Sequence, residues 1–156
     1  MNHRYFVAVY AGLGAALAIA ILAAIERSLP AAVLMAPFGA SAVLIFGLPD
    51  SPLAQAKNVV GGHLLTATIG LGVNTLLGVT PLSLALATGL AVSAMLLTRT
   101  THPPAGANPI LAMLSGESWG FLLFPVLLGS MLMVLCGRLM LWLKAVANGT
   151  KEAEGK

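Results

Sequence analysis

Charged residues are scarce in this sequence, in which only 8% of 156 residues are Asp, Glu, Lys or Arg. A soluble domain carries about 25% charged residues, so this chain lacks the polar surface that would keep it in water. Its hydrophobic content of 58% instead indicates an all-α integral membrane protein. The net charge of +3 is too small and too scattered to indicate nucleic-acid binding.

Cysteine pairs and catalytic motifs are also missing. The single cysteine, Cys136, excludes an intrachain disulfide. Ser41 and His63 resemble a nucleophile and a base, but nothing in the sequence orients the histidine. Three carboxylates fall at predicted helix edges or loops, where they form no acid–base pair: Glu26, Asp50 and Glu117. We therefore expect no enzymatic activity and no cofactor. Because the histidines lack local ligand spacing, we also expect no metal site.

Four long apolar runs are each long enough to cross about 30 Å of hydrocarbon. They are Tyr5–Ile25, Asn58–Val79, Pro81–Thr98 and Gly120–Leu143. The first run also resembles a signal peptide, but it exceeds the usual apolar region of about 7–15 residues, so we interpret it as an uncleaved helix. Trp119 and Trp142 are predicted interfacial anchors of the last run. The polar tail, 144–156, is predicted to be disordered.

Two further apolar segments are interrupted by proline and glycine. They predict half-length helices from about Phe38 to Gly47 and from about Ala105 to Ser115, each roughly 15 Å long. A proline-kinked span is the alternative for the first. Irregular backbone at membrane depth occurs only where protein or a water-filled cavity shields it. Each half-helix is therefore predicted to begin near the middle of the bilayer.

An internal repeat relates these segments at an offset of 67 residues. Residues 37–44 align with 104–111, and the same offset pairs Gly62 with Gly129 and Gly70 with Gly137. The chain is thus predicted to be one transmembrane domain of two units, about 5–79 and 81–143, each with a broken element between two full spans. The distribution of Lys and Arg favours broken elements that cross, with both termini cytoplasmic, over elements that re-enter. Three crossings per unit make the units inverted repeats.

In such a fold the two half-helix N-termini converge and attract a small anion through free N–H groups and helix dipoles. The candidate substrate-binding residues are Gly39, Ala40, Ser41, His102, Gly106, Ala107 and Asn108. The candidate vestibule residues are Arg99, Thr101, His63 and Lys57. Arg99 either concentrates anions or lies at the lipid headgroups. His102 either lines the path and exchanges protons or only bonds the backbone.

Four stretches resemble the HPP family of small integral membrane proteins. They are residues 36–42, 51–55, 58–63 and 101–107, in this order along the chain. Family members in cyanobacteria and plastids are associated with nitrite transport, and the resemblance implies a nitrite-like substrate. It also implies four spans, which agrees with six segments if hydropathy misses the broken ones. Asn108 departs from the threonine-like residue typical of the family at this position.

We therefore expect a transporter or channel for a small monovalent anion, most simply nitrite, in a bacterial inner membrane. The alternative is a non-transporting scaffold or sensor subunit. Channel and carrier both remain open, as do nitrate, formate and bicarbonate as substrates. The expected partners are the anion, the lipid bilayer and further copies of the chain, with no nucleic acid. Small residues recurring every fourth position predict a helix interface for a homo-oligomer: Ala8, Gly12, Ala16, Ala20 and Ala24.

Overall fold

A computed structural model describes residues 3–29 and 31–154, with side chains for 4–29 and 31–147. These residues form helices and loops and include no strand, which confirms the predicted all-α class. The α-helices are α1 (His3–Ser28), α2 (Pro37–Ala42), α3 (Ala56–Leu77), α4 (Pro81–Thr98), α5 (Asn108–Leu114) and α6 (Leu128–Glu154). Short 3-10 or π-helical turns complete the fold: Val43–Gly47, Pro52–Ala54, Pro103–Ala107, Trp119–Leu122 and Leu123–Leu127.

Within the described residues, four helices are long and apolar enough to cross a membrane. They are Arg4–Ser28, Ala56–Leu77, Pro81–Thr98 and Trp119–Ala147. One broken segment, residues 31–47, lies between the first and second of these helices, and another, residues 100–114, lies between the third and fourth. The predicted plan of four full spans and two broken elements is therefore present. The bounds of α4 are those predicted from Pro81 and Thr98.

Two expectations about the last span are wrong. The helix predicted to start at Gly120 is interrupted at Phe124, whose φ of −131° and ψ of 117° are not helical. Pro125 explains the break, because the residue before a proline is disfavoured in the α conformation. The tail predicted to be disordered continues α6 as far as Glu154, since lysine, alanine and glutamate are good helix formers. The last two tail residues, 155–156, lie outside the described residues.

A carboxylate from α1 satisfies the extended backbone that begins the first broken segment. Glu26 Oε2 accepts hydrogen bonds from Val33 N at 2.9 Å and from Leu34 N at 2.7 Å. A buried N–H group without a partner is costly, and lipid offers no substitute for water. Because Glu26 pairs these two N–H groups, the chain before α2 packs in the bundle without helical hydrogen bonds. The helix α2 then begins at Pro37.

Each broken segment packs on a glycine pair in the long helix of the other half. A methyl group on Gly62 of α3 would lie 2.9 Å from Thr100 O, and one on Gly129 of α6 would lie 2.8 Å from Val33 O. Glycine is required at both positions because any side chain would collide with backbone. Thr100 and Val33 are themselves 67 residues apart, as are the two glycines. The contact therefore recurs at the offset found in the sequence.

The neighbours of the broken segments show their direction. The second segment runs along α3, from Thr100 beside Gly62 to Met113 beside Val73. The first segment ends at Gly47, which shares a small cavity with the start of α1 and the middle of α6. Both segments therefore lead from one end of the bundle to the other. An inverted-repeat relation between the halves stays a prediction.

The predicted small-residue stripe of α1 differs in its surroundings from a similar row of small residues on α3. On α3 the members Gly62, Thr66 and Gly70 are buried against the second broken segment. On α1 the whole stripe from Ala8 to Ala24 is exposed, because this helix packs through the face that contains Ala18 and Leu22. The exposed stripe is available to lipid or to another chain, and a homo-oligomer stays a prediction.

Candidate functional site

Four polar side chains meet where the two broken segments approach each other. Ser41 comes from α2, His63 from α3, His102 from the extended stretch before Pro103, and Asn108 from the start of α5. All four are 0% exposed. Buried polar side chains in a membrane protein are costly unless they are paired, and they mark sites of function by default. We call this group the polar cluster.

Local sequence explains how these side chains converge. Ser41 lies one helical turn beyond Pro37, so its side chain is on the same face as the start of α2. His102 is extended, with φ of −136° and ψ of 98°, as expected for a residue that precedes proline. Gly62 lets this extended stretch approach α3, because a methyl group there would lie 3.1 Å from His102 Cβ.

Ser41 connects the two histidines. Its Oγ lies 3.0 Å from His63 Nε2 and 2.8 Å from His102 Nε2. The same oxygen lies 3.2 Å from Pro37 O. The two imidazole rings are 5.1 Å apart between centroids, and they meet edge to face. The three side chains therefore form one continuous hydrogen-bonded unit.

The partners at each end of this unit favour one assignment of its protons. His102 Nδ1 lies 2.7 Å from Leu53 O, and because a carbonyl only accepts, Nδ1 carries the hydrogen. Neutral His102 therefore accepts at Nε2 from the Ser41 hydroxyl. Ser41 in turn accepts from His63 Nε2–H, which leaves His63 Nδ1 to accept from Asn108 Nδ2 at 2.9 Å. Asn108 Nδ2 also lies 3.0 Å from His63 O, which confirms that it is the donor.

The cluster is fully paired in this arrangement. Across the part of the chain for which side chains are described, no buried side-chain nitrogen or oxygen lacks a hydrogen-bond partner. Thr66 supports the inner end, because its Oγ1 lies 3.1 Å from Asn108 Nδ2 and donates to Gly62 O. A satisfied network of this kind holds a unique geometry in a low-dielectric interior.

A cationic cavity of about 550 Å³ adjoins one side of the cluster. Its lining includes Lys57, Arg99 and Thr101 together with Leu53, the residue whose carbonyl binds His102. The structure therefore brings together three of the four residues predicted for the vestibule. The fourth, His63, does not line this cavity, because it lies on the inward face of α3 and is fully buried in the cluster.

Arg99 occupies an unusual backbone position at the edge of this cavity. It ends α4 in the left-handed region, with φ of 55° and ψ of 42°. Thr100 N bonds Met95 O and Arg99 N bonds Leu96 O, the pair of bonds that closes a helix at such a residue. Glycine is the usual choice there, and another residue costs on the order of 1 kcal/mol. A cation held at this cost is a candidate for function.

A larger and mostly apolar cavity of about 660 Å³ also adjoins the cluster. Its lining includes Pro37, Ala40, Pro103 and Ala107, which lie beside cluster residues in the fold or the sequence, and extends to Ser115 after α5. The cationic cavity therefore lies at the start of the second broken segment, and the apolar cavity follows the rest of its length.

Backbone N–H groups at the two helix starts are largely in use. Pro37, Pro103 and Pro104 have no N–H to offer. Gly39 N donates to Ala36 O, and Asn108 N donates to Ala105 O. The polar groups at this meeting point are therefore side chains rather than free amides. The predicted role of the glycine and alanine backbone in binding an anion stays a prediction.

The structure distributes the predicted substrate-binding residues over three places. Ser41, His102 and Asn108 form the cluster with His63, while Ala40 and Ala107 line the apolar cavity. Gly39 lines a different groove against α1. Gly106 has open space where a side chain would extend.

Sequence reasoning missed two contributors to the site. Thr66 is absent from the predicted site residues, and the Leu53 carbonyl leaves no signal in a sequence, because backbone acceptors carry no residue-type information. The clue to the first is that Thr66 lies one helical turn beyond Gly62 and His63.

The fold and the cluster define an integral membrane protein with a buried polar site at the meeting point of two broken segments. A family model described as the HPP transmembrane region matches residues 1–147. The chain therefore belongs to the HPP transmembrane family.

Two curated relatives are transmembrane proteins of Dictyostelium discoideum. One is 44% identical over 110 residues, covering 65% of this chain and 35% of the relative. Another is 39% identical over 111 residues, covering 66% of this chain and 39% of the relative. The matched part thus spans little more than a third of either relative. No solved structure matches this chain.

Proposed function

We propose that this protein transports a small monovalent anion across a membrane, with nitrite as the first candidate. The observation that carries the proposal is the position of the polar cluster at the meeting point of two broken segments, beside a cationic cavity. Lys57 and Arg99 raise the local concentration of anions at the cavity. No carboxylate is among the lining residues described for either adjoining cavity.

We expect the cluster to bind one anion at a time. Ser41 and Asn108 have hydrogen-bond donors, and each histidine becomes a donor at both nitrogens when it is protonated. A permanently bound group is not needed to complete the site, because its side chains pair with one another. A substrate in transit binds these donors when they release their present partners within the cluster. Nitrite is favoured over other anions by family resemblance.

A second candidate is a scaffold or sensor subunit that transports nothing. The complete burial and pairing of Ser41, His63, His102 and Asn108 favour it, because a satisfied network also serves to fix a fold. This candidate gives no role to Lys57 and Arg99 in the adjoining cavity. It predicts that nitrite flux is absent both with and without the charges of these two residues.

Nitrite uptake into sealed liposomes that contain only this protein tests the proposal. We expect nitrite uptake above that of empty liposomes. In Gly106→Val we expect this excess uptake to fall at least ninefold. Gly106 precedes Ala107, which lines the apolar cavity, and has open space around it. A valine side chain therefore fills part of that space without a packing clash. Gly72→Val on α3 is the matched control, because that glycine also has open space. Equal uptake by wild type and empty liposomes would favour the scaffold.

A further inference from the structure

The two cavities that adjoin the cluster suit different forms of a substrate. The cavity with Lys57 and Arg99 favours an ionised anion. The second cavity is lined by apolar and proline residues, with Ser115 as the single hydroxyl among the described lining residues. An ion without a partner is strongly disfavoured in such surroundings, whereas a neutral molecule is not. A substrate that passes both cavities enters the apolar one at a lower free-energy cost if it is neutralised first.

The hydrogen bonds of the cluster can accommodate one extra proton. When His102 is protonated at Nε2, that N–H donates to Ser41 Oγ, and the Ser41 hydroxyl turns to Pro37 O, which is 3.2 Å away. Ser41 Oγ has two lone pairs, so it also keeps the bond from His63 Nε2–H. His102 Nδ1–H remains on Leu53 O. The cationic cluster is therefore as fully hydrogen-bonded as the neutral one.

The two imidazoles face each other and otherwise contact uncharged groups. Their ring centroids are 5.1 Å apart, so a proton on one ring disfavours a proton on the other, and we assign a single extra proton to the pair. The other groups that face the rings are the Phe38 ring, the Ser41 hydroxyl, the Asn108 amide and the Leu53 carbonyl. No carboxylate contacts either ring among the residues whose side chains are described. The cations Lys57 and Arg99 line the adjoining cavity, where they favour an anion that would accompany the extra proton.

We propose that the carried unit is a proton together with the conjugate base of a weak acid, and that His102 hands the proton over. This inference rests on the proposed transport function. In the step, the Nε2–H bond of the His102 imidazolium breaks, and its electron pair stays on nitrogen. An O–H bond forms on the anion, which becomes the neutral acid, and no electron is transferred. The backbone beside Thr101 and Pro103 has to move, because His102 is fully buried.

The proposal selects among anions of similar size. Nitrite and formate are conjugate bases of weak acids and accept the proton. Nitrate has the same charge and a similar shape, but it is the conjugate base of a strong acid and stays ionised. We therefore expect nitrite to pass and nitrate to be excluded, and we expect no net charge to move.

The test uses the full chain in liposomes that contain a trapped pH dye, with potassium gradients and valinomycin to set the membrane potential. Sodium nitrite and sodium nitrate are the probes, each corrected for uptake by empty liposomes. We expect one proton to enter with each nitrite, a rate that changes less than twofold over 100 mV, and no nitrate uptake. An anion that moves alone responds to the same potential by up to about 50-fold.

The possible failures are distinct. Nitrite uptake that follows the potential without acidifying the lumen, or nitrate uptake at an equal rate, overturns the proton inference and leaves transport intact. Uptake of neither anion overturns the proposed function as well. These wild-type results decide the question whether or not any variant folds.

A variant then tests the assignment to His102. His102→Gln removes the titrating group, and we expect proton-coupled nitrite uptake to fall at least tenfold. The matched control is Ser130→Ala, which alters a buried polar residue outside the cluster, whose hydroxyl donates only to Leu127 O of its own helix turn. Electroneutral nitrite uptake that persists in a monodisperse His102→Gln protein would overturn the assignment.

Discussion

Replacing Ser41 by alanine tests whether the polar cluster is a real energetic unit. The hydroxyl lies 3.0 Å from His63 Nε2 and 2.8 Å from His102 Nε2, and it is 0% exposed. Alanine leaves one buried imidazole donor and one buried imidazole acceptor without a partner. Each unpaired group costs about 1–3 kcal/mol, so we expect Ser41→Ala to lower the free energy of unfolding by about 2–6 kcal/mol.

Ser130→Ala provides the matched control for this measurement. Ser130 is equally buried, but its hydroxyl makes a single bond of 3.1 Å to Leu127 O in the same helix turn. Alanine is the better helix former, so the two effects nearly cancel, and we expect a change of about 0.5 kcal/mol or less. Reversible unfolding in mixed detergent micelles measures both variants. Equal destabilisation of the two would refute the hydrogen-bonded cluster.

Three further predictions concern the supports of the site. Glu26→Ala leaves two backbone N–H groups unpaired and lowers the free energy of unfolding by about 2 kcal/mol, whereas Glu26→Gln retains an acceptor and loses less. Gly129→Ala collides with the Phe38 ring and costs about 1–3 kcal/mol, unlike Gly89→Ala in open space. Arg99→Gly keeps the left-handed helix end but removes the cation, so the KM for nitrite rises about threefold while stability does not fall.

The first two predictions are measured by the same detergent unfolding, and the third by initial rates of uptake at several nitrite concentrations. Equal losses for alanine and glutamine at position 26 would show that the backbone does not depend on that acceptor. A neutral Gly129→Ala would contradict the close packing of the first broken segment on α6. An unchanged KM in Arg99→Gly would assign Arg99 to the lipid headgroup region.

The sequence predicts the spans and the broken elements well because both leave strong local signals. Long uncharged runs identify helices, and Pro37 and the pair Pro103–Pro104 mark where half-length helices start. The repeat offset also predicts which glycines occupy matching positions. The break at Phe124 was missed because a single proline inside an apolar run is compatible with either a kink or a continuous span.

The site was predicted only in part, because its geometry depends on contacts between distant segments. Arg99, Thr101 and Lys57 share a cavity as expected, since all three lie near the same end of α3 and α4. The inward position of His63 was not predictable, because its helix has apolar or small residues on every side. The link from Ser41 to both histidines joins residues 22 and 61 positions apart and becomes visible only in the folded chain.

The most direct test of the account is the initial rate of isotopically labelled nitrite entry into sealed liposomes whose only protein is this chain. The account predicts saturable entry above the protein-free leak, and a large reduction when Gly106 is replaced by valine but not when Gly72 is. Entry that matches the leak at every concentration, with protein shown to be inserted and folded, would contradict the claim that this fold conducts an anion.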